Sequence, residues 1–356
     1  MRIFIDLGHP AHVHYFRNFI KLMEAKGHVF FISARDKEVS FVLLNKYEID
    51  FYNRGKGAKN IVNKFLYLFK SDYLLYKQAK LFKPDLFMSF ASPYAAHVAK
   101  ILGKPHVAFT DTDNAKLGIL SFEPFTKTVL TPISFKKSFG KKHIRFNGFM
   151  ELCYLYPSYF EPNPSIFSFL KINPGEKFII FRFVSWDANH DIGQTGLSLE
   201  YKNKIVRELS KYAKVFISSE AKLPNDLIPY QINIPAEKIH DAMAYATLFI
   251  GEGATMASEC AMLGTPAIYV NTLSAGTLEE QEKYGLLFGY RNSEGILEKA
   301  LELLKTPNLK EEFQARRQKM LADKIDVTAF MVWFVENYPQ SVQMMKDNPD
   351  YQDNFR

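Results

Sequence analysis

Residues 248–259, LFIGEGATMASE, constrain the fold of this chain more than any other stretch. Leu248, Phe249 and Ile250 read as a buried strand, Gly251-Glu252-Gly253 as a tight turn, and Ala254 to Glu259 as the first turns of a helix. The helical pattern runs to Gly264, and Thr265-Pro266-Ala267-Ile268-Tyr269-Val270 opens the next strand. A strand that feeds a helix through small residues leaves backbone N–H groups without partners at the helix start. Those donors, with the positive end of the helix dipole, make a site suited to phosphate. One turn further in, Glu259 offers a carboxylate at a distance suited to a sugar hydroxyl. On spacing alone two readings stand: a nucleotide site, or an ordinary βαβ unit whose glycines serve only the turn.

Both halves of the chain alternate strand and helix. In the front half, strands are expected at residues 3–7, 29–33, 86–89, 106–110 and 128–131, with helical periodicity over 14–26 and 95–102. In the back half, strands are expected at 178–183, 214–218, 248–250 and 267–270. Helices are expected at 200–212, 239–246, 256–263 and 293–304. Such alternation implies parallel sheets covered by helices. Residues 151–165 carry Pro157, Pro162 and Pro164 among Tyr and Ser and read as a linker. The expected organisation is therefore a domain over 1–150, a linker over 151–165, a second domain over 166–325 and a tail over 326–356. With 356 residues, 47% hydrophobic, the chain is long enough for two such cores.

Composition narrows the setting. The two cysteines, Cys153 and Cys260, lie far apart and read as free thiols in a reducing compartment. Asp6 interrupts the first apolar run too early for a signal peptide, and no run of about 18 apolar residues suggests a membrane span. A cytoplasmic protein is expected. Charge is uneven: residues 1–150 hold 24 Lys and Arg against 11 Asp and Glu, and the remainder holds 21 against 27. A basic front half suggests an anionic partner. No arginine-rich tract or RNA-binding signature points to nucleic acid. Residues 59–83 mix lysines with Phe65, Leu66, Tyr67, Leu68 and Phe69. This segment reads either as a peripheral contact with the anionic inner face of a membrane or as a helix on its own sheet with a solvated lysine face.

Three loops carry chemistry. After the first strand comes Gly8-His9-Pro10-Ala11-His12-Val13-His14. The spacing is not a standard zinc pattern, so no metal is expected. A neutral imidazole facing a cleft suits proton transfer from a hydroxyl, and helix capping and packing are the other reading. After the strand at 178–183 comes a long polar loop with Ser185, Trp186, His190, Gly193 and Thr195, which reads either as an approach to a phosphate or a base, with Ser185, His190, Gly193 and Thr195 as donors, or as a surface loop without a ligand. Asp111-Thr112-Asp113 looks like a metal-binding Asp-x-Asp, but it lies in the half without the phosphate turn. Asp111 is kept as a general-base candidate. Glu279, Glu280 and Gln281 follow the strand at 267–270 and suit either sugar hydroxyls or a solvated helix start.

Gly8-His9-Pro10-Ala11-His12, residues 251–259 and Gly264-Thr265-Pro266-Ala267 together resemble the DUF354 family. That likeness spans nearly the whole chain. A few motifs also resemble wider GT-B proteins: the bacterial glycosyltransferase that adds N-acetylglucosamine to the lipid-linked peptidoglycan precursor, and more distantly the UDP-N-acetylglucosamine 2-epimerases. The resemblance implies an α/β protein of two Rossmann-like domains facing across a cleft. It places His12 on the histidine of the first loop, with His9 beside it, and Gly253, Ala254 and Thr255 on the diphosphate-binding helix start. Glu259 falls on the ribose-binding glutamate, and Glu280 and Gln281 near the segment that meets the donor sugar. Two departures are visible: Pro10-Ala11 stand where paired glycines are usual, and Glu252 adds a carboxylate beside the diphosphate. The implied activity is metal-independent transfer from a nucleotide-diphosphate sugar, UDP-linked and serving as co-substrate with no cofactor. The acceptor would be a hydroxyl, lipid-linked in one version, in cell-surface polysaccharide synthesis. The alternatives are a nucleotide-sugar 2-epimerase or hydrolase, and a non-catalytic nucleotide-sugar-binding protein. The resemblance also implies a C-terminal helix near 327–337 that crosses back to the first domain.

Overall fold

The structure is a computed structural model that describes residues 1–58, 61–184, 196–219 and 222–356. The chain divides into two units: Met1–Tyr154 with Lys324–Arg356, and Leu155–Asp323.

In the first unit, strands β1 (Arg2–Leu7), β2 (Val29–Asp36), β3 (Tyr52–Lys56), β4 (Leu86–Phe90), β5 (His106–Phe109), β6 (Thr128–Pro132) and β7 (His143–Phe146) form a parallel sheet. Its order is β3-β2-β1-β4-β5-β6-β7. Strands covered on both faces read as continuous apolar runs, and Ile3, Phe4, Ile5, Leu86, Phe87 and Met88 are all fully buried. The order reverses between β1 and β4. In such sheets the ligand crevice lies outside the carboxyl ends at that point, after Leu7 and Phe90. Helix Pro10–Ala25 begins there with His9 as N-cap and Pro10 in its first turn, where a missing N–H costs nothing. Its buried stripe of Val13, Phe16, Phe19, Ile20 and Met23 follows the 3.6-residue period.

The boundaries differ from those expected. Glu151, Leu152, Cys153 and Tyr154 are buried core of the first unit, where the sequence reads as linker. The reason is aromatic packing: Tyr154 stacks on His14 at 5.0 Å and lies 6.0 Å from Tyr15. Residues 324–356 complete this unit. Helix Val327–Glu336 lies against helix Pro10–Ala25, the Thr328 hydroxyl donates to the Cys153 carbonyl at 2.9 Å, and Phe330 packs 6.1 Å from Phe146.

In the second unit, β8 (Phe178–Phe183), β9 (Lys214–Ser219), β10 (Leu248–Gly251), β11 (Ala267–Val270) and β12 (Leu287–Tyr290) form a parallel sheet. The order is β12-β11-β10-β8-β9, reversing between β8 and β10. The Gly251 turn therefore stands at the reversal. Both cysteines are free and buried. Among the described residues no helix is long and apolar enough to cross a membrane.

Candidate functional site

In the second unit the site grows from the end of β10. A Cβ on Gly251 would fall 2.6 Å from the Phe249 ring and 3.0 Å from Arg182 Cβ, so the packing of that ring, with β8 close behind, leaves room only for glycine here. The Glu252 N–H donates to the Arg182 carbonyl at 3.1 Å, and Asn271 Nδ2 donates to the Glu252 carbonyl at 3.3 Å. The turn is thus braced from both neighbouring strands. Helix Ala254–Leu263 follows, with Gly253 as an extended N-cap and no side chain capping it. Gly253, Ala254, Thr255 and Met256 all reach solvent, and their N–H groups meet no acceptor among the described residues. This is an open, dipole-aligned set of donors.

Glu259 lies one turn deeper and is almost fully buried. Its Oε1 accepts from His240 Nε2 at 2.9 Å, from helix Ile239–Tyr245. Gln281, fully buried on helix Gly276–Lys283, donates through Nε2 to Ser258 Oγ at 2.6 Å, and its Oε1 meets no donor among the described residues. Glu280 is half-buried on the same helix. Glu252 has other partners than a ligand. Its side chain is fully buried, and Leu197 N–H donates to Oε1 at 2.7 Å while Val184 N–H donates to Oε2 at 3.2 Å. Lys202 Nζ pairs with Oε2 at 3.0 Å. The carboxylate that reads as repelling a diphosphate is neutralised and grips the chain on either side of 185–195. Ser185, Trp186, His190, Gly193 and Thr195 lie outside the described residues.

In the first unit the donors at the start of helix Pro10–Ala25 are spent internally. Gly8 N–H donates to His12 Nδ1 at 3.2 Å, Ala11 N–H to His9 Nδ1 at 3.2 Å, and His12 N–H to the His9 carbonyl at 3.0 Å. Burial, helped by His9, Lys37 and Arg54, holds the His12 imidazole well below its usual range. A neutral ring whose Nδ1 accepts carries its proton on Nε2, so His12 presents a hydrogen-bond donor. It lies tilted 4.9 Å from the Phe90 ring and stacked 6.1 Å from Tyr15. His14 diverges and packs between Tyr154 and Tyr47.

Asp111 follows β5 and is half-exposed. Burial of its carboxyl pushes its pKa up to about 6, against a hydrogen bond from Thr112 Oγ1 at 3.0 Å. Asp113 is buried and accepts from the Lys136 N–H at 2.8 Å.

Sequence reasoning missed two groups here. Arg54, on β3, is buried beside Asp6: its Nε donates to Asp6 Oδ1 at 2.8 Å, and Nη1 donates to the Tyr67 hydroxyl at 2.9 Å. Ser33 donates to the same Asp6 oxygen at 2.6 Å, and Ser92 to Oδ2. The strand YNRGK has no apolar alternation to reveal it. In the second unit, Arg182 runs under Gly251 and Gly253 and donates through Nη1 to Ser218 Oγ at 2.9 Å.

Comparison with known proteins gives the wider placement. A family model described as a protein of unknown function, DUF354, matches residues 1–338. The chain belongs to the DUF354 family. This DUF354 chain is 24% identical over 279 residues to the uncharacterized protein MJ0665 of Methanocaldococcus jannaschii, covering 75% of this chain and 80% of that one. Among solved structures it is similar to the UDP-GlcNAc 2-epimerase of the same organism, with a TM-score of 0.62 and 12% identity over 89% of this chain and 98% of that one. It is also similar to the UDP-GlcNAc 2-epimerase of Neisseria meningitidis bound to UDP-GlcNAc, with a TM-score of 0.61 and 12% identity over 88% and 94%. The glycosyltransferase SsfS6 of Streptomyces sp. SF2575 matches with a TM-score of 0.58 and 13% identity over 95% and 100%. The fold is that of the GT-B glycosyltransferases and the epimerases.

Proposed function

We propose that this DUF354 protein transfers a sugar from a nucleotide-diphosphate sugar, UDP-linked, to a hydroxyl acceptor, without a metal. The observation that carries the reading is the open start of helix Ala254–Leu263 at the sheet reversal, with Glu259 one turn behind it. The N–H groups of Gly253, Ala254 and Thr255 would hold the diphosphate and stabilise its charge as it departs, the role a preorganised oxyanion site performs. Glu259 would take the ribose hydroxyls, held in orientation by His240. Gln281, buried and tied to Ser258, would brace the helix from which Glu280 meets the donor sugar.

In the first unit the acid–base work falls to Asp111, whose pKa near 6 suits proton transfer at neutral pH. His12 acts as a neutral donor that positions the acceptor, and His9 holds the loop by capping the helix. The acceptor is lipid-linked in this reading. Support comes from the apolar side chains that the first unit exposes beside lysines: Leu66, Phe69 and Tyr73 on helix Ile61–Phe82, and Leu117 and Leu120 on helix Lys116–Phe122.

The test is direct. With UDP-N-acetylglucosamine alone the protein should raise its melting temperature by mass action and turn nothing over. Release of UDP should then require an added acceptor. Epimerised or hydrolysed sugar without acceptor would favour the epimerase or hydrolase reading. Glu259→Ala and Thr255→Glu should each weaken donor binding by tenfold or more, and unchanged binding in both would remove the site.

A further inference from the structure

A separate hollow lies in the first unit, at the end of the sheet away from Gly8 and Asp111. β6 and β7 are parallel neighbours, so the residues just before each come together at their amino ends. Lys127 precedes β6, and Lys141 and Lys142 belong to the turn that leads into β7. Helix Gln340–Asp347 brings Lys346 to the same corner from its last turn. Together they border a hollow of about 480 Å³. The five residues of β6 put it about 16 Å from the carboxyl ends, where the crevice lies.

The charge there is not balanced. Among the described residues, none that lines the hollow is acidic. Lys142 is half-buried, and its Nζ meets the Glu123 carboxylate at 2.5 Å and the Glu123 carbonyl at 2.6 Å. Lys127, Lys141 and Lys346 are exposed, and their side chains have no partner among the described residues. Asp347, the acid next to Lys346, accepts from Gln343 Nε2 at 2.7 Å. A solvated basic face usually intersperses acids with its lysines. Here three ammonium groups border one concave space, where they repel one another until an anion enters.

The wall supplies a further donor. Thr128 is buried, and its hydroxyl lies 3.3 Å from that of Tyr338. The two groups carry two hydroxyl hydrogens and share one hydrogen bond. Whichever donates, the other hydrogen meets no acceptor among the described residues. An oxygen bound in the hollow would satisfy it. Pro339 and Val342, beside the Tyr338 ring, make the rest of that wall apolar.

We propose that this hollow binds a soluble phosphate ester, with its phosphate among Lys127, Lys141 and Lys346 and a ring-sized body against Tyr338. The volume falls in the range of small-molecule sites. Three unneutralised lysines suit a phosphate monoester, which carries about −2 near neutral pH, or a diphosphate ester. The distance from the crevice gives this ligand an effector's place rather than a substrate's. The site does not depend on the sugar-transfer reading.

The test uses the full chain, with inorganic pyrophosphate as the first probe and amide hydrogen exchange and calorimetry as readouts. Pyrophosphate should protect the segments 126–128 and 338–346 from exchange, and Thr255→Glu should leave that protection as it is. Lys127→Glu with Lys346→Glu alters two exposed side chains and keeps Lys142 on Glu123. That pair should abolish the protection and weaken binding at this site at least tenfold, with the melting temperature unchanged. Thr128→Val with Tyr338→Phe keeps the shape, removes both hydroxyls and should weaken binding several-fold. Protection confined to other segments, or unchanged in the lysine variant, would overturn the proposal. A loss in the lysine variant with none in the hydroxyl variant would reduce the hollow to plain charge attraction and overturn it too. Three further probes separate the sources of phosphate: adenosine 5′-monophosphate or glucose 6-phosphate, vesicles containing phosphatidic acid, and an RNA oligonucleotide. Protection of the same segments by either soluble ester supports the proposal. Protection by vesicles or RNA and by neither ester would overturn it.

Discussion

In the proposed reading, His12 and Asp111 take roles that residue type leaves open. An imidazole near neutral pH is the usual proton acceptor. Here the Gly8 N–H occupies Nδ1, and burial keeps the ring uncharged. The carboxyl of Asp111, moved up to about 6, lies in the range where histidine normally titrates. The acidic limb of the pH–rate profile should therefore be governed by a group near 6: activity should rise as the pH passes upward through that value and Asp111 loses its proton. Asp111→Asn should lower kcat by about 100-fold or more and remove that limb. His12→Asn, which keeps a donor, should retain the limb and lose rate mainly through acceptor KM. A limb that vanishes in His12→Asn and persists in Asp111→Asn would reverse the assignment.

Elements constrain one another through side chains that reach across them. His97, on helix Pro93–Ile101, pairs through Nδ1 with Asp72 at 2.9 Å on helix Ile61–Phe82. Its Nε2 donates at 3.0 Å to the Ser121 carbonyl on helix Lys116–Phe122. With an acceptor at each nitrogen the ring is held as imidazolium, and the hydrogen bond to Asp72 raises its pKa. A histidine raised in the folded state contributes stability that is complete below its unfolded pKa and is lost as pH rises through the folded one. Burial raises Asp72 too, so the pair is fully charged only between the Asp72 and His97 values. Thermal unfolding from pH 6 to pH 8 should show a loss of about 1 kcal/mol from this pair. His97→Gln should flatten that slope, and an unchanged slope would show the strap carries no pH dependence.

At the scale of the whole molecule, charge and exposed apolar area coincide in the first unit. Leu66, Phe69, Tyr73, Leu117 and Leu120 are each more than half exposed. Lysines 70, 77, 80 and 116 are exposed on the same helices. Lysines draw such a surface to anionic lipid and apolar side chains then enter the interface. Co-sedimentation with phosphatidylglycerol-containing vesicles should exceed that with phosphatidylcholine alone and fall with salt. Phe69→Ser with Leu117→Ser should reduce it several-fold without changing donor binding, and equal binding to both vesicles would remove the membrane from the proposal.

How much of this was legible in the sequence follows from how local each signal is. The Gly251 turn and the Ala254 helix were readable because strand, turn and helix are consecutive and each obeys its own short pattern. Strands β3, β7 and β12 were not. YNRGK and HIRF both lie at the sheet edges: YNRGK has no alternation to read, and HIRF alternates over only four residues, too few to stand out. With β3 went Arg54, whose partner Asp6 is brought to it by the parallel order of the sheet and whose partner Tyr67 comes from helix Ile61–Phe82. Residues 151–155 read as linker because proline and tyrosine crowd the sequence after them, whereas Tyr154 is buried by rings from elsewhere in the chain. Glu252 was visible as an oddity, but the lysine and two amides that satisfy it come from beyond β8.

That single acid has one more consequence. Val184 and Leu197 are thirteen positions apart, yet both amides end on the same carboxylate. A segment whose entrance and exit are fastened at one post can be lengthened, shortened or rewritten without disturbing the strand before it or the helix after it.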